Sequence, residues 1–118
     1  YSSSDTRNIK IATTGDTVLV NADTASSVML VINELLSNSL EHGFRTKKSG
    51  NINLRISNEE VFAIFTITDD GDGFQQKTNF ESLGLNIVKA IVKDKLNGKI
   101  RIHSSKSGTV TEFSIKIK

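Results

Sequence analysis

The sequence predicts an α+β domain, one sheet of roughly six strands with two long helices layered on one face. Three observations carry that expectation. Two segments repeat their apolar residues at helical spacing, Thr24 to His42 and Leu85 to Leu96. Several short segments alternate with period two, and strand and helix do not alternate regularly, as they would in a doubly wound parallel sheet.

Composition sets the outer limits. The 118 residues read as one domain over 1–118, large enough for a single core. Apolar residues make up 36% and charged residues 24%, outside the range of compositional disorder. A net charge of +2 writes no nucleic-acid footprint. The absence of cysteine excludes disulfides, thiol nucleophiles and cysteine-ligated zinc. No apolar run approaches the ~20 residues of a membrane span, so no membrane contact is expected of this domain. Starting at Tyr1 rather than Met, the chain reads as a fragment cut from a longer protein.

In order, Ser2 to Asn8 reads as a loose lead-in. Ile9, Ile11 and Thr13 alternate, and Gly15-Asp16 turns them into Val18-Leu19-Val20 as a hairpin. Asn21 or Asp23 caps the first helix, and Gly43 stops it. A basic loop, Arg45 to Gly50, leads to a strand over Ile52, Leu54 and Ile56. Val61 to Ile67 is apolar on both alternating faces, as a central strand covered on both sides would be. A polar loop from Phe74 to Ser82 precedes the second helix, which Asn97-Gly98 ends. Ile100-Ile102 and Phe113-Ile115-Ile117 close the sheet around Ser107-Gly108.

Three stretches carry chemistry. On the first helix Glu34, Asn38 and His42 recur every fourth residue, and each step turns only about 40°. They form one polar strip suited to metal or phosphate, or else the solvated edge of an amphipathic helix. Asp69-Asp70-Gly71-Asp72-Gly73 follows the apolar strand. Its spacing fails the EF-hand pattern, leaving an acidic turn or a site in which Asp69 accepts a hydrogen bond from an exocyclic amine. Gly71 and Gly73 would let backbone approach a flat ligand. Ser82-Leu83-Gly84-Leu85 opens the second helix, where backbone N–H groups attract phosphate or a serine simply caps the end. It is neither a Walker loop nor a dinucleotide fingerprint.

Glu-x-x-x-Asn-x-x-x-His, then Asp-Asp-Gly-x-Gly, then Leu-Gly-Leu, in this order, resembles the GHKL nucleotide-binding superfamily of gyrase, heat-shock chaperones, histidine kinases and MutL. The resemblance runs from about Ile9 to the end and is nearest to the catalytic domain of sensor histidine kinases. Asn-Glu-Leu-Leu-Ser-Asn-Ser-Leu-Glu-His-Gly-Phe with Ser-Leu-Gly-Leu-Asn-Ile-Val resembles the short-lid branch, whose soluble members often pair with RNA-binding antiterminator regulators. The resemblance implies a Bergerat-type two-layer α/β sandwich with a mixed sheet of about five or six strands. It implies ATP and Mg²⁺ as ligands, with Asn38 on the metal and Glu34 as the acidic residue of the same motif. In ATPase branches that acid orients water, and in kinases its role is less direct. Asp69 would read the adenine amino group with Gly71 and Gly73 beside the base, while Leu83, Gly84 and Leu85 mark the phosphate end. Thr111 would stand near the adenine, with Gly108-Thr109 as the rival alignment.

Some positions depart from the family pattern. Glu41 stands where a lysine or arginine usually contacts phosphate, leaving that duty to His42, Arg45 or Lys47. Phe80 and Ser82 replace lid glycines, so the lid should be short. The only histidines are His42, inside the nucleotide motif, and His103, expected to be a partly exposed strand residue rather than a phosphoacceptor. The implied function is phosphoryl transfer from ATP, presented beneath the Phe74–Ser82 loop, to a histidine on a separate dimerisation domain, and onward to a response regulator in the cytoplasm. Alone, the fragment should bind ATP with little or no turnover. The competing readings are an anti-sigma-factor serine kinase of the same superfamily and a degenerate scaffold that binds no nucleotide.

Overall fold

A computed structural model describes residues 6–73 and 83–118. The elements run β1 (Asn8–Gly15), α1 (Ala22–Asn38), β2 (Ser49–Asn58), β3 (Phe62–Asp69), α2 (Leu83–Ala90), β4 (Ile100–Ser105) and β5 (Gly108–Lys116). Each helix ends in a wide π-helical turn, Ser39–Gly43 after α1 and Ile91–Lys95 after α2. The sheet order is β1-β2-β3-β5-β4. Only β1 and β2 are parallel, so the sheet is mixed, and α1 and α2 lie against one face.

The start of α1 follows from its cap. Asn21 is extended, and its side-chain oxygen accepts the Thr24 N–H at 2.8 Å. From there Val28, Val31, Ile32 and Leu35 recur at helical spacing and are buried. On α2, Leu85, Val88, Val92 and Leu96 do the same. The second helix ends where Asn97 turns left-handed (φ 51°) ahead of Gly98, as its Asn-Gly pair predicts. Between the helices and the sheet, Phe65 and Phe113 stack with ring centroids 4.9 Å apart.

Period two along β3 decides what happens at its end. Ala63, Phe65 and Ile67 are buried, and the next step on that face is Asp69, only 3% exposed. The alternation that builds the core thus carries a carboxylate into it. Its cross-strand partners are Ile52 on β2 and Thr109 on β5.

Two expectations are corrected here. The hairpin through Gly15-Asp16 does not form, and the described residues make a sheet of five strands, within the five or six expected. Gly15 (φ 101°) packs so tightly on Ile56 that a Cβ would strike the Ile56 carbonyl oxygen. Asp16 then donates its N–H to Ile56 O at 2.7 Å and accepts the Asn58 N–H on its carboxylate at 2.9 Å. The turn therefore closes onto β2, β1 pairs in parallel, and Leu19 stands 89% exposed. The apolar character of β3 on both faces also does not mean two-sided cover. Phe62 is exposed, while Ile64 and Thr66 on that face are half-buried. The join expected around Ser107-Gly108 is where β5 begins, and Thr109 to Glu112 pair with both neighbours.

Phe113→Ala should cost about 3–5 kcal/mol in denaturant unfolding, because it removes a fully buried ring from the stacked pair. Val110→Ala, on the opposite face of β5 and exposed, should stay within about 0.5 kcal/mol. Equal losses would contradict the one-sided core.

Candidate nucleotide site

The three chemical stretches converge at the C-terminal half of α1. Ser39, on the buried side of the π-helical turn, donates its hydroxyl to Asp69 Oδ2 at 2.9 Å. Asp69 Oδ1 accepts the Gly71 N–H at 3.0 Å and the Thr109 N–H at 3.3 Å. A carboxylate taken out of water needs such donors, and here one helix, one loop and one strand each supply one. The helix and the loop also interlock through backbone. The carbonyl of Gly43 accepts the Asp72 N–H at 2.6 Å, and a Cβ on Gly71 would collide with that same carbonyl. Gly73, left-handed at φ 76°, lies as tightly on Ser105 O.

The loop from Arg45 to Lys47 clamps the acidic turn. Arg45 donates to Gly73 O at 2.8 Å, and Lys47 Nζ to Asp70 O at 2.8 Å and Gly71 O at 3.3 Å. Asp72 accepts the Thr46 hydroxyl at 2.6 Å and the Thr46 N–H at 2.7 Å, which holds its carboxyl down at about 2. Asp70 accepts the backbone N–H of Asn51 at 2.7 Å and its side-chain amide at 3.0 Å, and that pair lowers its pKa as well. The acids after Asp69 therefore fasten the loop, while Asp69 itself faces inward.

The third stretch joins on the other flank of α1. Gly84, in the first turn of α2, lies so close to Glu34 that a Cβ there would overlap Oε1. Leu83 opens α2, and Leu85 turns inward, buried in the core. The Phe74–Ser82 loop, with Phe80 and Ser82, lies outside the described residues. Asn38 is half-buried one turn beyond Glu34. His42 is a further turn on, exposed, with Nε2 3.9 Å from Glu41 Oε2. Among the described residues no three His, Cys, Asp or Glu side chains group as a metal site. His103 is an exposed residue of β4.

Of the two threonines on β5, Thr109 stands opposite Asp69 and bonds to Ser104 Oγ at 2.9 Å. Thr111 is also buried, two residues deeper and opposite Ile67. The sequence reading passed over Ser39 and Arg7. Ser39 sits immediately after Asn38, but its helical position does not reveal that its hydroxyl reaches β3. Arg7 lies in the segment read as a loose lead-in, yet it donates to Leu40 O at 2.6 Å and Phe44 O at 3.1 Å, the carbonyls at the end of α1.

Residues 23–118 match the family of histidine kinase-, DNA gyrase B-, and HSP90-like ATPases. The chain belongs to that family. It is 31% identical over 104 residues to the sensor histidine kinase PdtaS of Mycobacterium tuberculosis, covering 85% of this chain and 21% of that protein. It superposes on a histidine kinase domain from Erythrobacter litoralis, of a blue-light-activated histidine kinase, with TM-score 0.84 and 30% identity over 92% of this chain and 52% of that one. A nucleotide-free catalytic domain of the histidine kinase ThkA shares the fold at TM-score 0.75 and 22% identity, over 93% of this chain and 79% of that one. The chain thus spans about a fifth of the length of its kinase relative. No helix among the described residues is long and apolar enough to cross a membrane.

The loop clamp has a pH signature. Asp70 and Asp72 ionise at lower pH folded than at their ordinary value of 3.8, so each stabilises the fold above that value and loses its contribution as pH falls. For Asp72 the loss spans pH 3.8 down to about 2. The gap in melting temperature between wild type and Asp72→Asn should be full above pH 5 and narrow as pH falls through that window. A gap independent of pH would show that Asp72 does not act as a carboxylate.

Proposed function

We propose that this domain binds ATP and presents it for phosphoryl transfer to a histidine, as the catalytic domain of a two-component sensor kinase. The observation that carries the reading is the buried carboxylate of Asp69, held by three donors between α1, the glycine turn and β5. Such an acceptor suits an exocyclic amine, and the glycines beside it let the turn pack backbone to backbone on Gly43 and Ser105, which fixes the carboxylate's surroundings. We assign the adenine end to Asp69, Gly71 and Gly73, with Thr109 beside them and Thr111 behind. The phosphate end is assigned to Asn38, His42 and the Leu83-Gly84-Leu85 turn.

Charge at that end favours a divalent metal. Glu34 carries a carboxylate against the first turn of α2, and Glu41 adds another on the same stretch. Arg45 and Lys47 donate to carbonyls of the acidic turn rather than offering bare cations. A triphosphate beside Glu34 therefore needs compensation, and Mg²⁺ supplies it by neutralising phosphate charge. The residues fit such an ion. With one amide oxygen from Asn38 and no carboxylate cage among the described residues, the site would suit a metal that keeps most of its water. We assign Glu34 the acidic role of the motif, less direct in a kinase than the orienting of water in an ATPase, and the protein's contribution is positioning.

The phosphoaccepting histidine belongs, on this reading, to a separate dimerisation domain, with a response regulator downstream and a cytoplasmic location. The chain's span of a fifth of PdtaS leaves ample length for those parts in a protein of that kind.

Calorimetric titration with a non-hydrolysable ATP analogue should show binding strengthened by Mg²⁺. Asn38→Ala should weaken the Mg²⁺ complex about tenfold and erase the metal's effect. No binding by the wild type, or a metal effect intact in the variant, would overturn the assignment.

A further inference from the structure

The Ser39 hydroxyl is the one donor on Asp69 that can reverse its direction. The other two are backbone N–H groups of Gly71 and Thr109, which can only donate, and both act on Oδ1. They demand an oxygen at that position and so fix which end of the side chain is which. Oδ2 takes the Ser39 hydroxyl at 2.9 Å and keeps a second lone pair, and the bare Gly43 backbone lies beside it, where an added Cβ would stand 3.3 Å from this oxygen. Ser39 is not occupied as a helix serine usually is, bonding back to its own helix. Its N–H already serves Leu35 O and Leu36 O, and its hydroxyl is directed across to β3.

We infer that Ser39 is a specificity-determining positioning residue that holds Asp69 Oδ2 as the acceptor of the base subsite, an inference that rests on the nucleotide-binding reading. With aspartate at position 69, Ser39 gives its single hydrogen to Oδ2. The carboxylate has no hydrogen of its own, and held in that orientation it turns an acceptor to the ligand, so a 6-aminopurine is taken and a 6-oxopurine is refused. With asparagine there, the two backbone N–H groups hold the amide oxygen in the Oδ1 place and the nitrogen occupies the Oδ2 place. Ser39 then turns to accept one amide hydrogen, and the other faces the base. The preferred purine changes from amino to oxo.

The test compares non-hydrolysable analogues of ATP and of inosine triphosphate, which differ only at the 6-position edge of the base. Each is titrated into wild type, Ser39→Ala, Asp69→Asn and the double variant, with thermal melts confirming that each is folded. Wild type should prefer the adenine analogue. Ser39→Ala should lose roughly tenfold in affinity for it and little for the inosine analogue, so the ratio falls. Simple loosening of the structure would lower both alike. Asp69→Asn should invert the ratio, and the double variant should bind both weakly. Unchanged affinity and ratio in Ser39→Ala would overturn the inference, as would a retained adenine preference in folded Asp69→Asn. If Asp69→Asn does not fold, Ser39→Ala decides alone. A wild type that binds neither analogue defeats the nucleotide reading itself, whereas adenine binding with an unmoved Ser39→Ala ratio defeats only this proposal.

Discussion

Asp69 is the one ionisable residue among the buried side chains described, and the carboxylate draws its partners from segments far apart in sequence. Ser39 comes from the end of α1, Gly71 from the turn after β3, and Thr109 from the start of β5. Burying a carboxylate without donors costs several kcal/mol, so each of these segments is held where its donor is needed. The site and the fold share this constraint. Moving α1 relative to β3 would strand the carboxylate, and moving β5 would remove one of its two backbone donors.

Around that junction the surrounding loops are stitched rather than packed. Few side chains in Arg45–Asn51 or Asp70–Gly73 are apolar, and hydrogen bonds do the holding. Thr46 and Asn51 hold Asp72 and Asp70, and Arg45 and Lys47 reach the carbonyls of the turn. Arg7 adds a tie from a segment distant in sequence, joining the approach to β1 to the carbonyls that close the turn after α1. A ligand meeting this turn finds its backbone already arranged, which reduces the ordering cost of binding. The π-helical turn after Asn38 belongs to the same arrangement, since it carries Ser39 to Asp69 and the Gly43 carbonyl to Asp72.

Local patterns made much of this legible. The helical rows of α1 and α2, the Asn-Gly stop, and the strip of Glu34, Asn38 and His42 all follow from spacing within one element. The burial of Asp69 follows from period two once Phe65 and Ile67 are placed in the core. Sequence alone could not say where β1 pairs, because its alternation suits a hairpin with Val18–Val20 as well as a parallel partner 41 residues away. Ser39 and Arg7 stayed hidden for the same reason, since their partners lie 30 and 33 residues distant. The choice between Thr109 and Thr111 is one of register, and only the pairing of β3 with β5 puts Thr109 opposite the carboxylate.

The most direct test of the account follows backbone amide resonances as a Mg²⁺-bound, non-hydrolysable ATP analogue is titrated into the protein. The largest shifts should fall on Gly71, Gly73, Thr109 and the segment from Asn38 to Gly43, where the carboxylate gathers its donors. The opposite sheet face, with Arg55, Phe62 and Val110, should stay still. Shifts centred on that open face, with the Asp69 junction unmoved, would contradict the claim that the buried carboxylate organises both the fold and the site.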